Sequence, residues 1–325
     1  MKRVLTLLAS VLMLTAALAQ DSSLPEAARG VPLDPDKGYY VGELGSGLYF
    51  VTEGVSQAMF LVTTEGVVVV DAPPSLGENI QKAVAEVTSI PITHVIYSHS
   101  HLDHIGMAGA LRAGTIIAHE ITAAQLERAG DPRVPLPTMT FSDSYILEVG
   151  GQTLQLSYHG PVHEPGNIFV YAPAQKTLMV VDLVYPGWVP YKGLAASEDI
   201  PAWIAAHDVV LGYDFETYLG GHLGRPGTRR DVETARDYVT DVQANAARAL
   251  QEVSFEQIAQ QYGFQNPWRA IDAYIDEVVR VCAEAVVPAW EDRLGGAADF
   301  TASHCSAVEQ SLRIELGLGD AEAER

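Results

Sequence analysis

Residues 98–104 read Ser-His-Ser-His-Leu-Asp-His, which places three imidazoles and one carboxylate close together in the chain. Histidine is the commonest protein metal ligand, and aspartate adds a hard oxygen donor. Packing alone rarely produces this composition and spacing, whereas a bound cation explains both. We therefore predict that His99, His101, Asp103 and His104 form the core of a metal site.

The segments on either side of this stretch indicate a loop between a strand and a helix. Val95-Ile96-Tyr97 is a short apolar run with β-branched members, which is typical of a buried strand. The run that begins at Gly106 favours the start of a short helix. A loop held between rigid elements can aim several side chains at one point, so a binding site is expected here.

The pattern His99-x-His101-x-Asp103-His104 resembles the signature of the metallo-β-lactamase superfamily of metallohydrolases. The resemblance extends from about residue 47 to about residue 224. It implies an α+β fold, namely a four-layer αββα metallo-β-lactamase-type sandwich, followed here by a C-terminal helical extension. In that fold the metals lie at the edge where strand ends of two sheets meet.

Further residues match the family's motifs in the family's order. Gly66-Val-Val-Val-Val-Asp71 resembles the strand that ends in a supporting aspartate, and His163, Asp182 and His222 resemble the remaining metal ligands. Glu164 stands where the family commonly has a small hydroxyl residue. The resemblance implies two ions, one held by His99, His101 and His163, the other by Asp103, His104 and His222, with Asp182 as the bridge.

The chemistry that this centre implies is hydrolysis of a carbonyl compound. Mostly imidazole donors with two carboxylates suit two zinc ions per chain, with iron and manganese as the alternatives. Metal binding lowers the pKa of water to about 7, so a hydroxide would attack a lactone, carboxylic ester or β-lactam. Asp103 is the predicted catalytic residue, because its carboxylate is placed to orient that hydroxide. Two alternatives stay open: an iron-dependent redox enzyme acting on thiols or oxygen, and a binding protein without activity.

An aromatic stretch follows the predicted bridging aspartate directly. Tyr185, Trp188 and Tyr191 lie within seven residues and either line a substrate pocket or pack a proline-rich loop. Lys192 is a candidate partner for a substrate carboxylate. The aromatic composition favours a neutral carbonyl substrate over a phosphodiester.

The charge balance limits the classes of partner. The chain of 325 residues has 20 Lys and Arg against 41 Asp and Glu, a formal net charge of −21. Nucleic-acid phosphates would be repelled by such a surface, so a nucleic-acid partner is excluded and a small-molecule substrate is expected.

The N-terminus has the pattern of a signal peptide at residues 1–19. Lys2 and Arg3 precede a mostly apolar run, residues 4–14, and Ala17-Leu18-Ala19 matches a cleavage site. The apolar run is too short to span a membrane. We expect a periplasmic or secreted protein with no stable membrane anchor, and a retained anchor is the alternative.

The remaining chain divides by composition and periodicity. Residues 20–37 indicate a flexible lead-in, 38–226 the metallo-β-lactamase-like domain, and 227–325 a helical region that packs on the sandwich or mediates a homodimer.

Cys282 and Cys305 either form a disulfide, as export would favour, or remain buried thiols.

Two long helices are predicted within this C-terminal region. The first carries an apolar stripe with helical spacing between Val232 and Leu250. The second begins at the cap Asn266 and Pro267, and Pro288 is expected to limit it.

Overall fold

Two β-sheets packed face to face form the centre of the computed structural model, which describes residues 24–263, 265–315 and 317. The predicted signal peptide, residues 1–19, lies outside the described residues. The first sheet has seven strands in sequence order: β1 (Tyr40–Gly45), β2 (Leu48–Thr52), β3 (Gln57–Val62), β4 (Val67–Val70), β5 (Ile92–Ile96), β6 (Thr115–His119) and β7 (Met139–Phe141).

The second sheet has five strands in the order β12-β11-β10-β9-β8. Its strands are β8 (Ser144–Val149), β9 (Gln152–Ser157), β10 (Phe169–Ala172), β11 (Thr177–Met179) and β12 (Thr217–Leu219). Pairing is antiparallel from β1 to β4 and from β8 to β11. It is parallel from β4 to β7 and between β11 and β12.

Helices cover the outer faces of both sheets. Those that follow strands of the first sheet are α1 (Asn79–Val87), α2 (Leu102–Ile105), α3 (Ala108–Leu111) and α4 (Glu120–Ala129). Later in the chain come the short α5 (Lys192–Ala196), α6 (Ile200–Leu211), α7 (Arg229–Glu252), α8 (Phe255–Tyr262), α9 (Pro267–Trp290) and α10 (Ala297–Gln310). Isolated turns of other helix types lie at Glu26–Ala28, Pro173–Gln175 and Ser311–Glu315.

Alternate residues of each central strand enter different apolar layers. In β4, Val67 and Val69 pack with α1 and α4, whereas Val68 and Val70 face the second sheet. All four valines are buried, as expected for a strand covered on both faces. The outer face of the second sheet packs on α6, α7, α9 and α10. These three cores separate four layers, so the predicted αββα sandwich with a helical extension is confirmed.

The C-terminal helices follow their predicted stripes, with one correction. The stripe residues of α7 between Val232 and Leu250 are buried, and the helix packs against α6, α9 and α10. Helix α9 begins at the Asn266 cap, but it continues through Pro288 to Trp290. Pro288 leaves one backbone hydrogen bond unmade, but the buried Trp290 side chain, which donates to Asp241 Oδ2, holds this last turn against the core.

Cys282 of α9 and Cys305 of α10 form a disulfide, and both cysteines are buried. The alternative of two separate thiols is therefore wrong. The crosslink joins the last two long helices directly behind the second sheet.

The described part of the predicted lead-in lies against the domain. The carbonyl of Ala28 accepts a 2.8 Å hydrogen bond from Trp188 Nε1, and Val31 N donates to Gly224 O. Gly187 has a φ of 83°, and a Cβ at this position would lie 1.9 Å from Ala27 O, so only glycine fits. Across the described residues, no helix combines the length and the apolar character that a membrane span requires.

Candidate metal centre

The predicted ligands converge because they follow strands whose carboxyl ends lie at one edge of the sandwich. Asp71 comes directly after β4, and the histidine-rich loop follows the neighbouring parallel strand β5. Asp182 follows β11, and His222 follows its parallel neighbour β12. Parallel neighbours end on the same side of a sheet, which is where ligands bind in such folds.

Four residues form the first group of donors. His99, His101, His163 and Asp182 each offer one ligand atom, and these atoms lie within 4.8 Å of one another. His163 Nε2 is 2.9 Å from His101 Nδ1 and 3.4 Å from Asp182 Oδ2. The group combines three imidazole nitrogens with one carboxylate, which matches the predicted first set.

Asp103, His104 and His222 form the second group, again with ligand atoms within 4.8 Å. His104 Nε2 is 3.0 Å from His222 Nε2, and Asp103 Oδ2 is 3.6 Å from His222 Nε2. Gly221 allows this approach, because its φ is 83° and a Cβ there would lie 3.1 Å from the His104 ring.

Asp182 lies between the two groups. Its Oδ2 is 3.1 Å from His104 Nε2, 3.4 Å from His163 Nε2 and 3.5 Å from His99 Nε2. Its Oδ1 is 3.2 Å from His222 Nε2. One buried carboxylate thus reaches both donor groups, which is the geometry that a bridging ligand requires.

Two buried imidazoles of the first donor group suit a divalent metal ion. Burial lowers the pKa of the His99 imidazole well below its usual value and that of His163 to about 4, so both rings are neutral and can ligate. The buried Nε2 of His99 has no hydrogen-bond partner among the described residues. An unsatisfied buried nitrogen beside a carboxylate is costly unless a cation satisfies it.

The Asp71 carboxylate holds the histidine-rich loop through hydrogen bonds, which is the supporting role that the resemblance implied. Its Oδ1 accepts from Ser98 N at 2.8 Å, its Oδ2 accepts from Ser98 Oγ at 2.7 Å, and Oδ2 lies 3.8 Å from His104 Nδ1. Burial raises the pKa of this carboxyl to about 6. Two hydrogen bonds to Ser98 fix the start of the loop that carries the ligands.

Both aspartates after strand ends have left-handed backbones, with φ of 63° at Asp71 and at Asp182. A non-glycine residue in this region is uncommon, and such strain persists where surrounding structure enforces it. The backbone of Asp182 is held by hydrogen bonds from its N–H to Gly220 O and from Trp203 Nε1 to its carbonyl.

Glu164, the departure from the family's pattern, is buried beside His163. Its Oε2 accepts from Gln125 Nε2 at 2.6 Å, and its Oε1 accepts a long bond from Ser100 N at 3.4 Å. Glu164 therefore connects α4 to the loop between His99 and His101.

Sequence reasoning did not foresee the contacts that orient Asp182. Tyr185 donates a 2.8 Å hydrogen bond to Asp182 Oδ1, and its ring stacks on His222 with an interplanar angle of 10°. The signal for Tyr185 was its position three residues after Asp182. Trp203 offered no signal, because nothing in the sequence relates α6 to this carbonyl.

A cavity of about 510 Å³ opens above the donors. Its floor includes His101, Asp103, His163, Asp182 and His222, and its walls are mainly apolar. The aromatic stretch contributes Tyr185, Trp188 and Tyr191, so the pocket interpretation of this stretch is supported. Lys192 is exposed and is not part of the lining, and the described lining contains no Lys or Arg.

The other histidines lie outside both donor groups. His119 accepts from Ile121 N as the N-cap of α4, and His159 is an exposed partner of the Tyr213 hydroxyl. His207 and His304 are buried among the later helices, and His94 lies on β5. None of the five belongs to the described clusters.

A four-layer αββα sandwich with a buried His/Asp cluster at one sheet edge defines a metallohydrolase scaffold. The chain belongs to the Metallo-beta-lactamase superfamily, whose family model matches residues 51–241.

Similar proteins carry different names. The chain is 29% identical over 192 residues to the 2,4-dinitroanisole O-demethylase subunit alpha of Nocardioides sp. (strain JS1661), covering 57% of this chain and 58% of that protein. It is 30% identical over 176 residues to the Metallo-beta-lactamase type 2 of Bacillus sp. (strain 170), covering 52% of this chain and 65% of that protein. The matched region thus spans less than two thirds of either relative.

Solved structures show the same fold. A metallo-beta-lactamase from Pontibacter korlensis superposes with a TM-score of 0.54 at 22% identity, over 61% of this chain and 99% of that chain. Metallo-beta-lactamase IND-7 superposes with a TM-score of 0.52 at 17% identity, over 61% of this chain and 98% of that chain.

Proposed function

We propose that this protein is a hydrolase that uses two divalent metal ions, most simply zinc, on a neutral carbonyl substrate. The observation that carries the proposal is the position of Asp182 between two donor groups at the floor of an apolar cavity. A lactone, a carboxylic ester or a β-lactam presents the carbonyl that this arrangement suits.

The residues divide the work as follows. His99, His101 and His163 would hold one ion, Asp103, His104 and His222 the other, and Asp182 both. Ions bound there would supply an activated water and polarise the substrate carbonyl. Asp103 is exposed toward the cavity, and the His222 imidazole 3.6 Å away lowers the pKa of its carboxyl, so it is ionised and able to accept a proton from an incoming water.

The cavity favours an uncharged substrate. Its described lining has no cationic side chain to pair with a phosphate or carboxylate, and its walls are aromatic and aliphatic. Burial of an apolar group against such walls contributes about 25 cal/mol per Å² removed from water. A hydrophobic ester or lactone gains this contribution without leaving a buried charge unpaired.

A second candidate is the cleavage of an aryl methyl ether. The relative from Nocardioides is named an O-demethylase of 2,4-dinitroanisole, and an aromatic cavity over the metal ligands suits such a substrate. Iron-dependent redox chemistry on the same ligands is the other alternative, and the identity of the bound metal distinguishes it, since zinc does not change oxidation state.

We also propose that the protein is exported and acts on small molecules. The signal-peptide pattern of residues 1–19 favours a periplasmic or secreted location. The net charge of −21 favours small molecules over nucleic acid, and the C-terminal helices offer a surface for a homodimer.

The test compares hydrolysis of a lactone, an aryl ester and a β-lactam by the wild type and by His101→Ala. Loss of one imidazole from the first donor group should reduce turnover by at least a hundredfold while the circular dichroism spectrum stays unchanged. His159→Ala is the matched control, because His159 is an exposed histidine outside both groups and should keep wild-type turnover. Full turnover in His101→Ala would refute the assignment.

A further inference from the structure

One wall of the cavity includes a residue of the C-terminal helical region. Phe300 on α10 lines the cavity together with Tyr191, Ala195 and Ala196 of the segment around α5. Phe300 lies outside residues 51–241, the part of the chain that matches the family. The wall thus combines Phe300 from the C-terminal extension with Tyr191, Ala195 and Ala196 from within the matched region.

Tyr191 and Phe300 form one aromatic surface. Their ring centroids are 5.5 Å apart at an interplanar angle of 63°, within the range of favourable edge-to-face pairs. Tyr191 is 60% exposed, so its ring stands at the rim of the cavity rather than in the core. An apolar surface at the mouth of a metal site is suited to hold the hydrophobic part of a substrate.

The backbone behind this surface is strained. In α5, φ is 67° at Gly193, 54° at Leu194 and 61° at Ala195, which makes a left-handed turn. A left-handed helical conformation is unfavourable for each non-glycine residue, because the Cβ crowds the following carbonyl oxygen. Such a turn persists only where neighbouring structure enforces it.

Helix α10 provides that restraint through its polar side chains. Ser303 Oγ accepts a 3.0 Å hydrogen bond from Gly193 N. His304 Nε2 lies 3.2 Å from the carbonyl of Tyr191 and Nδ1 lies 2.7 Å from the Tyr238 hydroxyl. Since a carbonyl only accepts, Nε2 carries the proton and Tyr238 donates to Nδ1.

The restraint extends into the body of the helical region. Tyr238 belongs to α7 and also contacts Thr301 Oγ1 at 2.8 Å. The disulfide from Cys305, next to His304, joins α10 to α9. The aromatic surface of Tyr191 and Phe300 is thus anchored to three helices.

We propose that Phe300 and Tyr191 determine substrate specificity by binding the hydrophobic group attached to the reacting carbonyl. His304 is a positioning residue for this wall, because it acts through the backbone of Tyr191. The inference rests on the proposed hydrolysis of a carbonyl substrate and names its class: esters or lactones with a large aliphatic or aromatic acyl group.

The first test measures kcat/KM for p-nitrophenyl hexanoate and p-nitrophenyl acetate with the zinc-loaded full chain. Phe300→Ala should lower the hexanoate-to-acetate ratio at least fivefold, because the longer chain loses its apolar contact. Trp268→Ala is the control, since Trp268 is an aromatic residue of the same helical region that is 78% exposed and remote from the lining. A ratio within twofold of the wild type in Phe300→Ala would overturn the proposal.

The second test addresses His304. His304→Leu removes the donor to Tyr191 and should lower the same ratio, with the larger change in KM. His304→Gln keeps an N–H donor and should restore most of the ratio. Equal ratios in wild type and His304→Leu would refute the positioning role, and so would equal loss in both variants.

A binding measurement separates failure of this proposal from failure of the proposed function. The neutral fluorophore N-phenyl-1-naphthylamine is titrated into wild type, Phe300→Ala and Trp268→Ala. Absence of ester hydrolysis by the wild type would refute the proposed function alone. The titration would then still show whether Phe300 contributes to an apolar binding surface. Weaker binding only in Phe300→Ala supports an apolar binding wall, and identical dissociation constants in all three contradict it.

Discussion

At the scale of single residues, the site depends on how one carboxylate is held. Asp182 has a left-handed backbone, a buried side chain and four histidine nitrogens within 3.5 Å of its oxygens. Burial alone would raise the pKa of this carboxyl, but the His104 and His222 imidazoles beside it keep that pKa well below its usual value. An ionised Asp182 is the state that a bridging ligand needs.

Tyr185→Phe tests the contact that orients this carboxylate. The variant loses the hydrogen bond to Asp182 Oδ1 while keeping the ring that stacks on His222. A hydrogen bond to a charged group is worth about 1.5–3 kcal/mol, so kcat/KM should fall roughly tenfold or more. Steady-state kinetics on the best substrate measure the effect.

Tyr171→Phe is the matched control, since its hydroxyl donates to Asp214 O away from the cavity. Unchanged kinetics in Tyr185→Phe, or equal losses in both variants, would show that the contact with Asp182 does not support turnover.

The buried His207 should make the free energy of unfolding sensitive to acid. Burial lowers the pKa of this imidazole from 6.5 to about 4, so the unfolded chain binds a proton there before the folded protein does. Its contribution to stability is therefore present above pH 6.5 and is lost as pH falls toward 4. Linkage gives a loss of about 2 kcal/mol in the free energy of unfolding between pH 7.5 and 5.

Urea unfolding of wild type and His207→Leu at both pH values measures this contribution. The variant should lose about 2 kcal/mol less than the wild type on acidification. The same loss in both proteins would contradict the assignment to His207.

At the scale of elements, the sequence predicted strand and helix positions best where burial is simple. The valine run of β4 and the α7 stripe were correct because one face, or both, enter a continuous core. The strands β7 and β12 have three residues each, which is too few for a periodic pattern to predict them. Helix α9 continues beyond Pro288, which was expected to limit it, because tertiary packing of the last turn outweighs one absent hydrogen bond.

Local sequence patterns likewise predicted some residues of the site, whereas residues placed by tertiary packing could not be predicted. The two donor groups could be predicted because the loop at 98–104 concentrates four of their residues and the family motifs supply the others. Phe300 and Trp203 could not, because each reaches the site only through the packing of a distant helix.

The disulfide gives a prediction for the C-terminal elements. Cys282 and Cys305 are separated by 23 residues, and closing such a loop stabilises by roughly 3 kcal/mol in the chain-entropy model. The double variant Cys282→Ser, Cys305→Ser should lower the free energy of unfolding by about this amount, measured by urea unfolding under oxidising conditions. An unchanged free energy of unfolding would show that the crosslink contributes nothing to the fold.

At the scale of the whole molecule, the predicted metal ligands come from both sheets. Asp71 and the histidine-rich loop follow strands of the first sheet, while Asp182 and His222 follow strands of the second. Bound ions would therefore stabilise the sandwich as well as the site. A ligand present at a thousand times its dissociation constant contributes about 4 kcal/mol to stability.

Metal removal should consequently lower the melting temperature and abolish turnover together. Dialysis against a chelator followed by calorimetry gives the first quantity, and an assay before and after addition of zinc gives the second. A melting temperature that is independent of the chelator would contradict a metal centre shared by both sheets.

The most direct test of the central claim is elemental analysis of the purified protein and of His101→Ala. We predict about two divalent ions per chain in the wild type, mainly zinc, and a clear loss in the variant. Well under one ion per chain in the wild type, or the same content in both proteins, would contradict the claim that these side chains form a two-metal centre.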